Sequence, residues 1–227
     1  MIELTDKQLI SNILSLPNAP KIVNEINIKL TEEQKKRERF YNEITEQEKA
    51  EFINGEIIIH SPVKKEHNDV ATSLHQLIRL FVKKFKLGYV GFDKVMISLS
   101  RNDYEPDISF FSEEKSKEFK KGQSLFPAPD LAVEVLSKGT AKNDRGVKYN
   151  DYEAHEIFEY WIIDPNKEIL EQYRLNKKKE YELILKSKAG EIECKAIKGF
   201  KIDIESIFDD DKNLNEVEKI VNMKSKE

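Results

Sequence analysis

Glu105-Pro106-Asp107-Ile108-Ser109-Phe110-Phe111 and, further on, Pro129-Asp130-Leu131-Ala132-Val133-Glu134-Val135-Leu136-Ser137 decide the fold of this 227-residue chain. Each is a short apolar run of strand length that carries an acid, Asp107 beside the first run and Glu134 within the second. Only Glu134 interrupts the apolar run Leu131 to Leu136, which predicts a central strand covered on both faces. A carboxylate there is costly unless it is paired or holds a cation. Adjacent strands lie about 5 Å apart, so two facing carboxylates repel unless positive charge sits between them. On these residues alone two readings stand: structural ion pairing, or a divalent-cation site. Mg²⁺ suits the second, because it takes oxygen ligands, commonly one or two protein carboxylates with waters and phosphate oxygens.

A lysine follows on the next element. Thr140 is a candidate cap for a helix from about 141 to 155, and Asp144 and Lys148 lie on one face of it at i,i+4 spacing. The plain reading is a surface ion pair. The functional reading has this helix pack behind the Glu134 strand and send Lys148 toward the acids, where an ammonium would position a water and stabilise developing negative charge.

Working outward, the apolar set Leu4, Leu9, Ile10, Ile13, Leu14 and Leu16 predicts a short first helix capped by Thr5 or Asp6 and ended by Pro17 and Pro20. A second, charged helix is expected over 31–50, where Thr31 and Gln34 have the spacing of a capping box. Asn54-Gly55 between Ala50–Ile53 and Glu56–His60 predicts a β-hairpin. Val70, Leu74, Leu77, Ile78, Phe81 and Val82 have helical spacing over 65–84. Residues 92–99 read as one strand, 113–124 as a polar loop, and 157–163 as a second buried strand holding Tyr160 and Trp161 as core. A strand meander over 169–197 precedes a tail from Asp209 expected to fray. These elements predict an α/β fold: a central mixed β-sheet flanked by helices, with a C-terminal β meander. The expected division is a helical arm over 1–45, a main domain over 46–208, and an acidic, helical tail over 209–227.

The net charge of −4 argues against a protein that coats itself in nucleic acid by bulk charge, and leaves room for a local basic groove. Cys194 is the only cysteine, which excludes an intrachain disulfide and a cysteine-built zinc cage and suits a reducing cytoplasm. Neither a signal-peptide pattern nor an apolar run of membrane-spanning length is evident, so the expected location is cytoplasmic, with no membrane partner. His60, His75 and His155 show no partner pattern.

Glu51-Phe52-Ile53-Asn54-Gly55-Glu56, Ser61-Pro62 with His67, Pro106-Asp107, Val133-Glu134-Val135-Leu136-Ser137, Asp144, Lys148, Tyr152 and Glu159-Tyr160-Trp161-Ile162-Ile163-Asp164-Pro165 occur here in an order and spacing that resembles the Uma-two family, within the PD-(D/E)xK restriction-endonuclease-like superfamily. The resemblance covers roughly 46–208. It implies a restriction-endonuclease-like sheet and a Mg²⁺- or Mn²⁺-dependent endonuclease acting on DNA, with no small-molecule cofactor and, as in many such nucleases, a homodimer. By position it makes Asp107 and Glu134 the catalytic, metal-holding acids. Its strand lysine is missing, because Leu136 stands in that place. Lys148 matches a lysine moved to the following helix and is favoured over Lys138. Glu56, His67 and Asp144 are candidate accessory residues. Lys64, Lys65, Lys138 and Arg145 are candidate phosphate contacts, with Lys83-Lys84, Lys115 to Lys121 and Lys142 behind them. The alternative readings are a catalytically inactive nuclease fold kept as a binding or assembly module, and a hydrolase of another phosphoester.

Overall fold

The computed structural model describes residues 5–45 and 48–224. Helix α1 (Asp6–Leu14) opens with Thr5 and Gln8 in a reciprocal capping box. Leu4, counted in the apolar set expected for this helix, lies outside the described residues. Helix α2 (Ala19–Glu43) differs from expectation at both ends. Pro20 does not stop a helix but sits in the first turn of this one, where its missing N–H has no partner to lose. Thr31 is no cap: it lies within the helix, its hydroxyl donating to the Asn27 carbonyl at 2.8 Å. The helix is finished well before Ala50, which already belongs to β1 (Ala50–Ile53).

The expected hairpin joins β1 to β2 (Glu56–Ile59). Asn54 (φ 51°) and Gly55 (φ 84°) are both left-handed, as a two-residue hairpin turn requires. Helix α3 (Lys65–Phe85) follows, then β3 (Gly88–Phe92) and β4 (Met96–Ser98). The single strand expected over 92–99 is therefore split. Asp93, at φ 57°, turns the chain so that β3 and β4 enter different sheets. Gly88 has φ 143°, and a β-carbon there would fall 2.0 Å from the Phe111 carbonyl oxygen, so only glycine lets the two backbones meet.

After β5 (Asp103–Tyr104) and β6 (Ile108–Ser112), the expected loop holds a short helix α4 (Glu113–Ser116) and is followed by a two-residue strand β7 (Leu125–Phe126). Strand β8 (Leu131–Val135) carries Glu134. The helix expected over 141–155 is broken into α5 (Ala141–Asp144) and α6 (Val147–Ala154). Gly146 makes the break, where a β-carbon would approach the Lys142 carbonyl to 2.8 Å. Then come β9 (Glu159–Asp164), β10 (Ile169–Leu175), β11 (Tyr181–Ser187), β12 (Glu191–Cys194), β13 (Phe200–Asp203), a 3₁₀ turn over Ile204–Ile207, and α7 (Asp210–Asn222).

Six strands form the central mixed sheet in the order β11-β10-β9-β8-β6-β3, with β8 and β9 parallel and the other neighbours antiparallel. A second sheet runs β2-β1-β5-β4-β7, and β12-β13 pair separately. Alternation along β8 then sorts the core. Val133 and Val135 face α3, the β12-β13 hairpin and α7; Ala132 and Leu136 face the second sheet and α6. The C-terminal meander thus divides: β10 and β11 extend the sheet, while the last hairpin covers it. The tail expected to fray is held instead as α7, whose Ile220 is fully buried in the α3 core. Among the described residues no helix is long and apolar enough to cross a membrane.

Candidate active site

Asp107 stands just before β6, and the register Ile108 to Val133 sets it opposite Glu134 on β8. Pro106 supplies no N–H at the entry of that strand. The Asp107 carboxylate is pinned by the Val135 N–H, which donates to Oδ2 at 2.8 Å. His67, in the first turn of α3, places Nε2 3.3 Å from the same oxygen. Lys49 places Nζ 3.0 Å from Oδ1. Burial raises the acid, but His67, Lys49 and the Val135 amide outweigh it and hold Asp107 well below the usual carboxylate range.

Glu134 is held from the other side. Lys148 Nζ and the Tyr152 hydroxyl donate to its Oε1 at 3.0 and 2.9 Å. The break at Gly146 puts Lys148 in the first turn of α6 rather than mid-helix, and Asp144 at the end of α5, yet the two still meet at 3.4 Å. A third acid completes the cage: Glu51, from β1, lies 2.8 Å from Lys148 Nζ. One buried ammonium thus faces Glu51, Glu134 and Asp144. Burial alone would lower Lys148, but these acids hold it well above its ordinary value. The surplus negative charge falls on Glu134, pushed up by burial and by Asp144, Asp107 and Glu51, and on Asp144, also raised by burial. Glu51 goes the other way: burial opposes, but Lys148 and His60 bring it to about 2.

These groups open on a cleft of about 360 Å³, with Lys49, His67, Asp107, Glu134, Lys138 and Lys148 among its walls. A second lobe of about 290 Å³ continues past Asp107 toward Phe92 and Asp93. The structure therefore brings together Asp107, Glu134, Lys148, Asp144 and His67. Lys64 and Lys138 also line the cleft. Glu56 does not join them; it is exposed beside the hairpin turn, paired in register with Ile53. Lys65 is exposed and pairs along its own helix with Asp69. Arg145 forks onto Glu171, beside a separate hollow with Tyr149 and Tyr173.

Sequence reading missed four neighbours of the site. Glu51 carries the same signal as Glu134, an acid inside a strand, since Ala50, Phe52 and Ile53 around it are all buried. His60 does have a partner, 3.1 Å from Glu51. Glu105 is buried in the cleft wall and pushed up to about 7 by burial, with Lys49 opposing. Lys49 ends a charged run and has no sequence signal. The other two unpartnered histidines are also placed: His75 stacks on Phe92, and His155 lies 3.1 Å from Asp151.

The donor set suits a hard divalent cation. It is made of carboxylate oxygens, and the negative charge pressing on Glu134 is what such an ion relieves. Among the described residues no three His, Cys, Asp or Glu side chains are grouped as a ready-made metal cage. Mg²⁺ needs no such cage, since water and phosphate oxygens complete its shell.

A family model described as "Uma2: Putative restriction endonuclease" matches residues 37–205. The uncharacterized protein sll1609 of Synechocystis sp. is 31% identical over 120 residues, covering 52% of this chain and 67% of the relative. Among solved structures, a crystal structure from Anabaena variabilis, described as "a putative nuclease belonging to DUF820", superposes with a TM-score of 0.64. It is 20% identical, over 74% of this chain and 94% of that one, so the likeness speaks for the fold.

Proposed function

This chain belongs to the Uma2 family, and from that premise we propose that it is a metal-dependent endonuclease hydrolysing phosphodiester bonds of DNA. Asp107 and Glu134 are the metal-holding acids, and Lys148 is the cation that supports the attacking water. The observation that carries this reading is the meeting of two buried acids, one on β8 and one at the entry of the neighbouring β6, in one cleft, each with a lysine on it. Mg²⁺ or Mn²⁺ held there would ease deprotonation of a water and neutralise charge on the phosphate.

The side chains divide the remaining work. Asp107 is fixed in direction by the Val135 amide and in ionised form by His67 and Lys49. Lys148 stays protonated, so it acts as fixed positive charge against a developing oxyanion rather than as a base. We assign Lys64 and Lys138, exposed residues that line the cleft, to phosphates flanking the scissile bond. With a net charge of −4 the contact is confined to this groove, and affinity falls steeply with salt. Cutting both strands needs two sites, so we propose that the active form pairs two copies, which sedimentation equilibrium would test.

The test is cleavage of supercoiled plasmid in Mg²⁺ or Mn²⁺ by wild type and Asp107→Asn. Nicking by the wild type alone supports the reading; equal nicking by both overturns the assignment of Asp107. One observation favours the alternative of a binding module without cleavage. Leu136 fills the strand-lysine position with a core side chain, and Lys148 is enclosed by three carboxylates. A folded protein that binds duplex DNA but cleaves it with neither metal would establish that alternative.

A further inference from the structure

Lys49 keeps Asp107 ionised, and it does so from a position between two acids. It precedes β1, and its side chain is 14% exposed. Its ammonium bridges two unlike acids, at 3.0 Å from Asp107 Oδ1 and 2.9 Å from Asp93 Oδ1. Asp107 is buried in the cleft wall, whereas the Asp93 side chain is half exposed in the turn between β3 and β4. That turn is tied to the first acid, because the Asp93 N–H donates to the Asp107 carbonyl at 2.9 Å. Lys49 thus has an inner and an outer partner at a fixed spacing, and it lines both lobes of the cleft. Of the Asp107 oxygens, Oδ2 is taken by the Val135 amide and approached by His67. Oδ1 is the one left for a divalent cation, and Lys49 occupies it.

We propose that Lys49 is the resident counter-ion of Asp107: it competes with a divalent cation for Oδ1, moves toward Asp93 when one binds, and is then free to pair with a substrate phosphate. This rests on the reading of Asp107 as a metal-holding acid. An ammonium and a divalent cation on the same carboxylate oxygen repel at that range, so each weakens the other's hold. Release by movement is available, because lysine is a point charge on a flexible four-carbon stem and Asp93 stands outside as a second partner. Linkage then requires reciprocity: a phosphate that engages Lys49 tightens cation binding, and the cation tightens phosphate binding by the same factor.

The experiment is calorimetric titration of Mn²⁺ alone into wild type, Lys49→Met, Lys49→Arg, Asp93→Asn and Asp107→Asn. Each titration is repeated with a DNA duplex carrying phosphorothioate linkages, and thermal melts confirm folding. Lys49→Met is expected to bind Mn²⁺ about tenfold more tightly, the order expected when one repelling charge leaves a partly buried site. Lys49→Arg should match wild type. Asp93→Asn, which removes the outer partner, should bind Mn²⁺ more weakly and keeps the test open if Lys49→Met fails to fold. The duplex should tighten Mn²⁺ binding more in wild type than in Lys49→Met. Unchanged or weaker binding by folded Lys49→Met overturns the proposal, as does unchanged or tighter binding by Asp93→Asn. If Asp107→Asn binds Mn²⁺ as wild type does, the metal reading of Asp107 itself fails. If Asp107→Asn loses binding while Lys49→Met gains nothing, only the role of Lys49 fails.

Discussion

Lys148 Nζ lies 2.8 Å from Glu51 Oε1, although Glu51 sits in the second sheet and Lys148 on the helix behind the first. The contact fastens the β1-β2 hairpin to the cleft. Glu51 also accepts the Glu105 N–H at 2.9 Å and meets His60 at 3.1 Å, so one buried carboxylate joins three segments of chain. Replacing it by glutamine removes the charge and keeps the shape. Glu51→Gln should lose about 1.5–3 kcal/mol, the cost of losing a charged hydrogen bond, since Lys148 keeps Glu134 and Asp144 as partners. Urea unfolding at neutral pH measures this, and a loss below about 1 kcal/mol would mean that the pair behaves like a surface one.

Lys148→Met leaves Glu51, Glu134 and Asp144 facing one another with no ammonium among them. Glu134 and Asp144 are raised even with the lysine present. In the variant they should climb further and take protons in the folded state more readily than in the unfolded one. A folded state that binds more protons loses stability as pH rises. The variant should therefore be destabilised by about 3–5 kcal/mol at neutral pH and recover part of that loss near pH 5. Wild type, whose Glu134 and Asp144 are raised less, should gain less from these two acids over the same interval; parallel urea midpoints at the two pH values decide.

Asp107→Ala is a poor probe of chemistry here, because it would orphan the Val135 amide and leave Lys49 and His67 without their shared partner. Asp107→Asn keeps an acceptor for the amide. The expected outcome is a folded variant with cleavage lost, against an alanine variant that also loses about 3 kcal/mol or more. Melting curves for the pair separate the two effects.

The acids are legible because Glu134 interrupts an apolar run and Asp107 stands at the head of another, and Lys148 because it sits one helical turn from Asp144 in the element after Glu134. The rest depended on contacts that sequence order does not carry. Lys49 lies 58 residues from Asp107 in the chain and ends a run of charges that reads as a solvated surface. The helix break at Gly146 was hidden because Asp144 and Lys148 keep their meeting across it. Pro20 is ambiguous in the sequence because a proline that ends one helix and one that begins the next look alike until the first turn is seen. The tail beyond Asp209 reads as acidic and weak, and its order comes from α3, which Ile220 reaches only in the folded chain.

Arg37 fixes the N-terminal helices to the main body. Its guanidinium forks onto Asp103 at 2.6 and 2.7 Å, and it also donates to the Leu99 and Asn102 carbonyls at 2.7 and 3.1 Å. Asp103 is fully buried, and Tyr41 donates to it at 2.8 Å. Arg37→Ala should cost about 3 kcal/mol through the uncompensated acid. It should also raise amide hydrogen exchange along the C-terminal half of α2 while leaving β8 and β9 protected. Uniform exchange in both regions would place Arg37 in the global core instead.

Glu171, like Glu51 and Asp107, ties stability to acid pH. On β10 it is gripped by Arg145 and Lys186 and accepts from the Tyr173 hydroxyl at 2.9 Å. Burial pulls its pKa up, but these partners outweigh it and bring the acid to about 2 from an ordinary 4.5. A carboxylate depressed in the folded state contributes stability that is fully present above its unfolded value and is lost as pH falls through its folded one. The window is therefore about pH 4.5 down to about 2. Glu171→Gln should be less stable than wild type at pH 6, and the gap should close across that window as the wild-type acid takes up its proton. Urea unfolding in buffers of constant ionic strength reads the difference directly, since added salt would screen the exposed ends of both lysine and arginine. A gap that stays constant from pH 6 to pH 2 would assign the effect of the substitution to packing rather than charge.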